Sequence, residues 1–80
     1  MICRIEHLDL SSNQISDFTG EKMALFLKRN NILKHINLSD NLLKDTTGQK
    51  FELILDTNKT LIHINLELNS IAQKYIEKIH

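Results

Sequence analysis

Histidine recurs at an interval of 28 residues, at His7, His35 and His63. Each is followed two places on by Asp9, Asn37 or Asn65, and two further on by Ser11, Ser39 or Glu67. Imidazole offers two chemistries near neutral pH: proton exchange, and coordination of an ion such as zinc through a ring nitrogen at ~2.0–2.1 Å. Coordination requires ligand number and geometry together. A column of histidines on successive strands does not converge on a point, and only Asp9 offers a nearby carboxylate, so no metal and no other cofactor is expected. Three like charges in a row resist joint protonation, which would make the column a pH-sensitive surface. Duplication of one histidine with its repeat explains the column without any function, and that simpler account is preferred. No nucleophile pairs with a base, and the two glycines, Gly20 and Gly48, form no phosphate-cradling loop. The sequence gives no reason to expect an enzyme.

The elements that carry these columns follow from the residues around them. The phrase runs Ile5-Glu6-His7-Leu8-Asp9-Leu10-Ser11-Ser12-Asn13, then Leu33 to Asn41, then Leu61 to Asn69. Leu8/Ile36/Ile64 and Leu10/Leu38/Leu66 lie two apart, the spacing of one face of a strand, and that face is expected to enter the core. Ile5/Leu33/Leu61 and Ile15/Leu43/Ile71 should join it. Asn13/Asn41/Asn69 follows the strand, where an amide that both donates and accepts can satisfy the backbone of a buried bend. The polar stretches Ser16–Gly20 and Lys44–Gly48 come next. Their Asp and Thr residues suit helix N-caps, and Glu21 suits a first turn. Met23 with Leu27, and Phe51 with Leu55, mark an apolar helix face, which Leu25, Phe26, Leu53 and Ile54 should widen. Lys28–Asn31 and Asp56–Lys59 close the helices. Ile71, Tyr75 and Ile79 keep helical spacing in the third copy.

Each copy fits L-x-x-L-x-L-x-x-N and so resembles the leucine-rich repeat. With its 28-residue period and the junction Asn58-Lys59-Thr60-Leu61, the chain over residues 5–80 is similar to the ribonuclease-inhibitor-like subfamily. The resemblance implies an α/β leucine-rich-repeat solenoid: a short right-handed horseshoe segment with parallel strands concave and helices convex. It forms a single unit, 1–80, of about three repeats (5–32, 33–60 and a truncated 61–80). Gly20 and Gly48 fall one place later than the subfamily's usual glycine, so a slightly irregular start to each helix is expected. The subfamily implies a non-catalytic protein-interaction module that uses its concave face. The contact residues would be His7, Asp9, Ser11, His35, Asn37, Ser39, His63, Asn65 and Glu67, although a solvated strand face is polar in any case. Two alternatives come with it. One is a structural subunit of a large cytoskeletal or ciliary assembly. The other is a GTPase-activating regulator, which needs an arginine in a strand-to-helix loop; the only arginines, Arg4 and Arg29, fall elsewhere.

Composition narrows the partners. Ten basic and ten acidic side chains balance, so no field favours nucleic acid or an anionic membrane. The cluster Lys22, Lys28, Arg29 and Lys34 is diluted by acids and lacks interleaved aromatics. No apolar run approaches the ~20 residues of a membrane span. One cysteine, Cys3, permits no internal disulfide, and Met1–Arg4 leave no room for a signal peptide. An intracellular setting is therefore expected, cytoplasmic or cytoskeletal and ciliary. The sequon Asn58-Lys59-Thr60 is read as repeat junction. Neither end shows a polar capping repeat. The expected remedies are flanking repeats of a longer array or end-to-end self-association, with Leu68, Tyr75 and Ile79 at the open end and Ile2 and Cys3 partly covering the other. Ile62 and Leu68 interrupt otherwise polar columns and add to this end-contact reading.

Overall fold

The computed structural model describes residues 4–79, with side chains for 4–76. Expectations for Ile2, Cys3 and the side chain of Ile79 lie outside the described residues. In chain order the elements are β1 (His7–Asp9), α1 (Asp17–Arg29), β2 (His35–Asn37), α2 (Asp45–Leu55), β3 (His63–Asn65) and α3 (Gln73–Ile79). The strands form one parallel sheet in the order β1-β2-β3, with His7 opposite His35 and His35 opposite His63. Adjacent parallel strands need a long crossover, and each 28-residue interval supplies one helix for it.

The helices and the apolar strand face share one core. Ile36 and Ile64 point into it from the strands, Leu38, Leu43 and Leu66 from the turns, and Ala24, Leu27, Phe51 and Ile54 from α1 and α2. Leu33 and Leu61 join it as expected, but Ile5 does not, being 51% exposed. No described element packs on the outer side of the first repeat, so the position that is buried in repeats two and three stands open there. A second correction concerns the helices. Leu25, Phe26 and Leu53 do not widen the inward face; all three are exposed, and only Ile54 turns in. Successive helical residues are rotated by about 100°, so the stripe set by Ala24 and Leu27 leaves Leu25 and Phe26 facing outward.

The polar stretches also act differently from expectation. The N-caps are Ser16 and Lys44, and neither makes a side-chain capping bond. Asp17 and Asp45 are already helical, and Glu21 lies past the first turn. Asp17 instead reaches the next repeat, where its Oδ1 accepts the Lys44 N–H at 2.8 Å and the Thr47 hydroxyl at 2.6 Å. Asp45 does the same for the Ala72 N–H at 2.7 Å. The glycines explain why the helices can stand so close. A β-carbon on Gly20 would lie 2.6 Å from Thr47 Oγ1, and one on Gly48 would lie 2.8 Å from Ile71 Cγ2. α1 starts regularly, with the Gly20 N–H on the Ser16 carbonyl at 2.8 Å, whereas at the start of α2 the Lys44 carbonyl is shared by the Thr47 and Gly48 N–H groups at 3.1 and 3.2 Å, a slight irregularity.

Two asparagine columns tie the repeats together. Asn41 Oδ1 accepts the N–H groups of Asn13 and Ile15, and its Nδ2 donates to the carbonyls of Leu10, Leu38 and Ser39. Asn69 repeats the pattern on Leu43, Leu38, Leu66 and Glu67. The second column is Asn30 and Asn58. Each closes the loop after its helix through Oδ1, and buried Asn58 also donates to the carbonyls of Leu27 and Asn30. That burial fits the junction reading of the sequon.

Left-handed backbone recurs at the same interval, at Ser12, Asp40 and Leu68, with φ of 58°, 55° and 59°. Aspartate tolerates this region, whereas a branched apolar side chain is strained in it. Leu68 is also 77% exposed, so it gains little from burial. Leu68→Asn is therefore expected to raise the unfolding free energy by about 1 kcal/mol, read from the urea midpoint.

Candidate protein-interaction face

Three-residue strands leave one outward pair each. Alternation turns Leu8, Ile36 and Ile64 to the core and sends His7/Asp9, His35/Asn37 and His63/Asn65 to the opposite side. Together these line a shallow depression of about 290 Å³. Six of the nine expected contact residues meet there. Ser11, Ser39 and Glu67 stand at the following turns, outside it.

The imidazoles form an ordered column. His7 and His35 stack with centroids 4.4 Å apart and planes within 6°, while His63 tilts by 42° at 6.1 Å from His35. The stack follows from strand spacing, since register-matched side chains on parallel neighbours are held ~4.8 Å apart. Among the described residues, no three metal-ligating side chains converge.

The second column has a structural duty that strand alternation alone does not reveal. Asp9 Oδ1 accepts both the N–H and the hydroxyl of Ser11, at 2.9 and 2.6 Å. Asn37 and Asn65 accept the N–H groups of Ser39 and Glu67 in the same way, each at 3.0 Å. These are Asx turns that end each strand. They occupy the side-chain oxygens and leave the Nδ2 groups of Asn37 and Asn65 as donors on the open face. Because repeat one already uses aspartate here, Asn37→Asp is expected to change the melting temperature little. It should still remove a donor from the face, which a binding assay on the folded variant would detect.

The Ser11 hydroxyl, and then its N–H, hold the Asp9 carboxyl below its ordinary value of 3.8. A carboxylate whose folded value is depressed contributes stability above its unfolded value and loses it as pH falls through the folded one. Asp9→Asn should therefore lose that contribution at neutral pH and flatten the acid limb below about pH 4, so that variant and parent converge in acid, as thermal melts across pH would show.

On one flank Glu6 pairs with Lys34 at 3.6 Å, and the next residue in that column is the exposed Ile62. On the other, the Ser12 hydroxyl donates to Asp40 Oδ2 at 2.9 Å, and the next residue is Leu68. The expected end contacts do not join the depression. Tyr75 is half-buried beside Gly48 and accepts a hydrogen bond from Gln49 Nε2 at 2.8 Å. The sequence reading missed the Asn30/Asn58 column and the outward pair Leu25/Leu53. Their shared interval of 28 residues was the signal that would have found both.

No family model and no curated protein matches the chain. None of the described helices is long and apolar enough to cross a membrane.

Proposed function

We propose that the chain is a non-catalytic protein-interaction module of the leucine-rich-repeat kind, and that it binds its partner on the open face of the sheet. The observation that carries this reading is the register-matched columns. Histidine rings and amide donors from three repeats stand side by side around one depression, supported from behind by a filled core. A broad, rigid and shallow polar surface suits a protein segment better than a small molecule, which needs a deeper, mostly apolar enclosure. The three-fold recurrence of strand, asparagine bend and helix at one interval supports a solenoid of stacked repeats.

Peptide selection against the chain tests this, with chemical-shift mapping of the selected ligands. Shifts should concentrate on His7, His35, Asn37, His63 and Asn65, and His35→Ala should weaken binding without lowering the melting temperature. Ligands that map elsewhere, or that tolerate His35→Ala together with Asn37→Asp, would overturn the assignment.

A second reading, as a structural subunit of a larger cytoskeletal or ciliary assembly, draws on the exposed Ile62 and Leu68 at the β3 side. Two substitutions in α3 weigh against simple continuation of the stack there. Gln73 stands where Asp17 and Asp45 accept the next repeat's N–H, and Ile76 stands where Gly20 and Gly48 permit close approach.

A further inference from the structure

Between α1 and α2 lies a depression of about 450 Å³. Helix α1 lines it with Glu21, Ala24, Leu25 and Lys28, α2 with Lys50, Leu53 and Ile54, and the turn after α2 with Thr57. Buried Ala24 and Ile54 form its floor, while Leu25 and Leu53 stand exposed on its rim. Leu25 and Leu53, one repeat apart, are 60% and 64% exposed on it. Among the described residues, Glu21, Lys28 and Lys50 make no ion pair.

The α1 stripe is complementary to its own reverse. Glu21 and Lys28 stand at its ends with opposite charge, and small Ala24 sits beside large Leu25 at its centre. Lay a second copy on this face, related by a two-fold axis that lies in the interface and crosses the helices. Glu21 then meets Lys28 of the other copy, Lys28 meets its Glu21, and each Leu25 lies over the depression that the other copy's buried Ala24 floors. On the α2 side the one charged residue lining the depression, Lys50, stands away from the axis, so the operation does not bring it onto its own copy. An isologous interface requires this reciprocity, in which residue i meets j and j meets i. We propose that the chain forms a two-fold homodimer through the α1–α2 face, which leaves the histidine face of each copy free.

The two faces belong to opposite sides of the molecule, so this proposal does not depend on the binding function assigned above. Sedimentation of the whole chain from about 1 μM to about 1 mM tests it. The mass should rise from that of one chain towards that of two, and no further. Glu21→Lys and Lys28→Glu should each weaken the dimer about tenfold, while the two together, which exchange the charges, should restore it to within about threefold. Leu25→Asp should leave only monomer. All of these positions lie on the outer face, and an unchanged circular dichroism spectrum would show that the variants remain folded. A monomer over the whole range would overturn the proposal, as would a dimer indifferent to these changes. Masses above two that respond to Leu68→Asp and not to Leu25→Asp would do the same, since they would place the contact at the ends of the stack.

Discussion

Asn41→Ala is expected to lower the unfolding free energy by about 3–5 kcal/mol, enough to leave a chain of this size largely unfolded at room temperature. The side chain is buried and serves five backbone groups: the N–H groups of Asn13 and Ile15 and the carbonyls of Leu10, Leu38 and Ser39. Each buried backbone group left without a partner costs about 1–3 kcal/mol, and partial hydration keeps the total below the simple sum. Asn13→Ala is the control. Its side chain is exposed and, among the described residues, bonds only the carbonyls of Leu10 and Ser11, so its loss should cost about 1 kcal/mol. Urea denaturation of the two variants, followed by circular dichroism, gives the comparison. Equal losses would mean that Asn41 does not hold the first repeat to the second.

The second large effect reverses a general rule. Glycine to alanine inside an open helix stabilises it by about 1 kcal/mol, but Gly20→Ala should destabilise this chain by about 1–3 kcal/mol. The new β-carbon would lie 2.6 Å from Thr47 Oγ1 and 2.7 Å from Leu43 Cδ2. Thr47 cannot swing aside without cost, because it is fully buried and its hydroxyl is bonded to Asp17. Thr47→Ala should be harmful alone and should relieve part of the damage in the Gly20→Ala background. Contacting residues are expected to couple in this way in a double-mutant cycle. A higher melting temperature for Gly20→Ala would show that α1 and α2 are not packed this closely.

The residues predicted much of this arrangement and missed its cross-links. Alternation within His7-Leu8-Asp9 and its copies gives the strand faces, because period two is a local property. The asparagine bend was legible for a similar reason, since an amide after a strand has few other uses. Asp17 was misread because a local rule was applied to a residue whose partners lie in the next repeat. As the first residues of a helix, Asp17 and Asp45 resemble caps, while their bonds run to Lys44, Thr47 and Ala72. Leu25, Phe26 and Leu53 were misplaced because both inward and outward helix positions carry apolar residues, and composition does not set rotational phase. In the candidate site, alternation placed Asp9, Asn37 and Asn65 on the correct face. It did not show that their oxygens are committed to Asx turns.

The asparagine and aspartate ties have one further consequence, for how the chain finds its structure. Among the described residues, β1 pairs only with β2, and β3 only with β2. The side chains that join the repeats span 26–31 residues wherever they occur. Forming the second junction therefore closes a loop of the same length as the first, at a similar entropic cost. Neither junction has to wait for distant segments to meet. Assembly can begin at either one and proceed by repetition of a single step, with the middle repeat taking part in both.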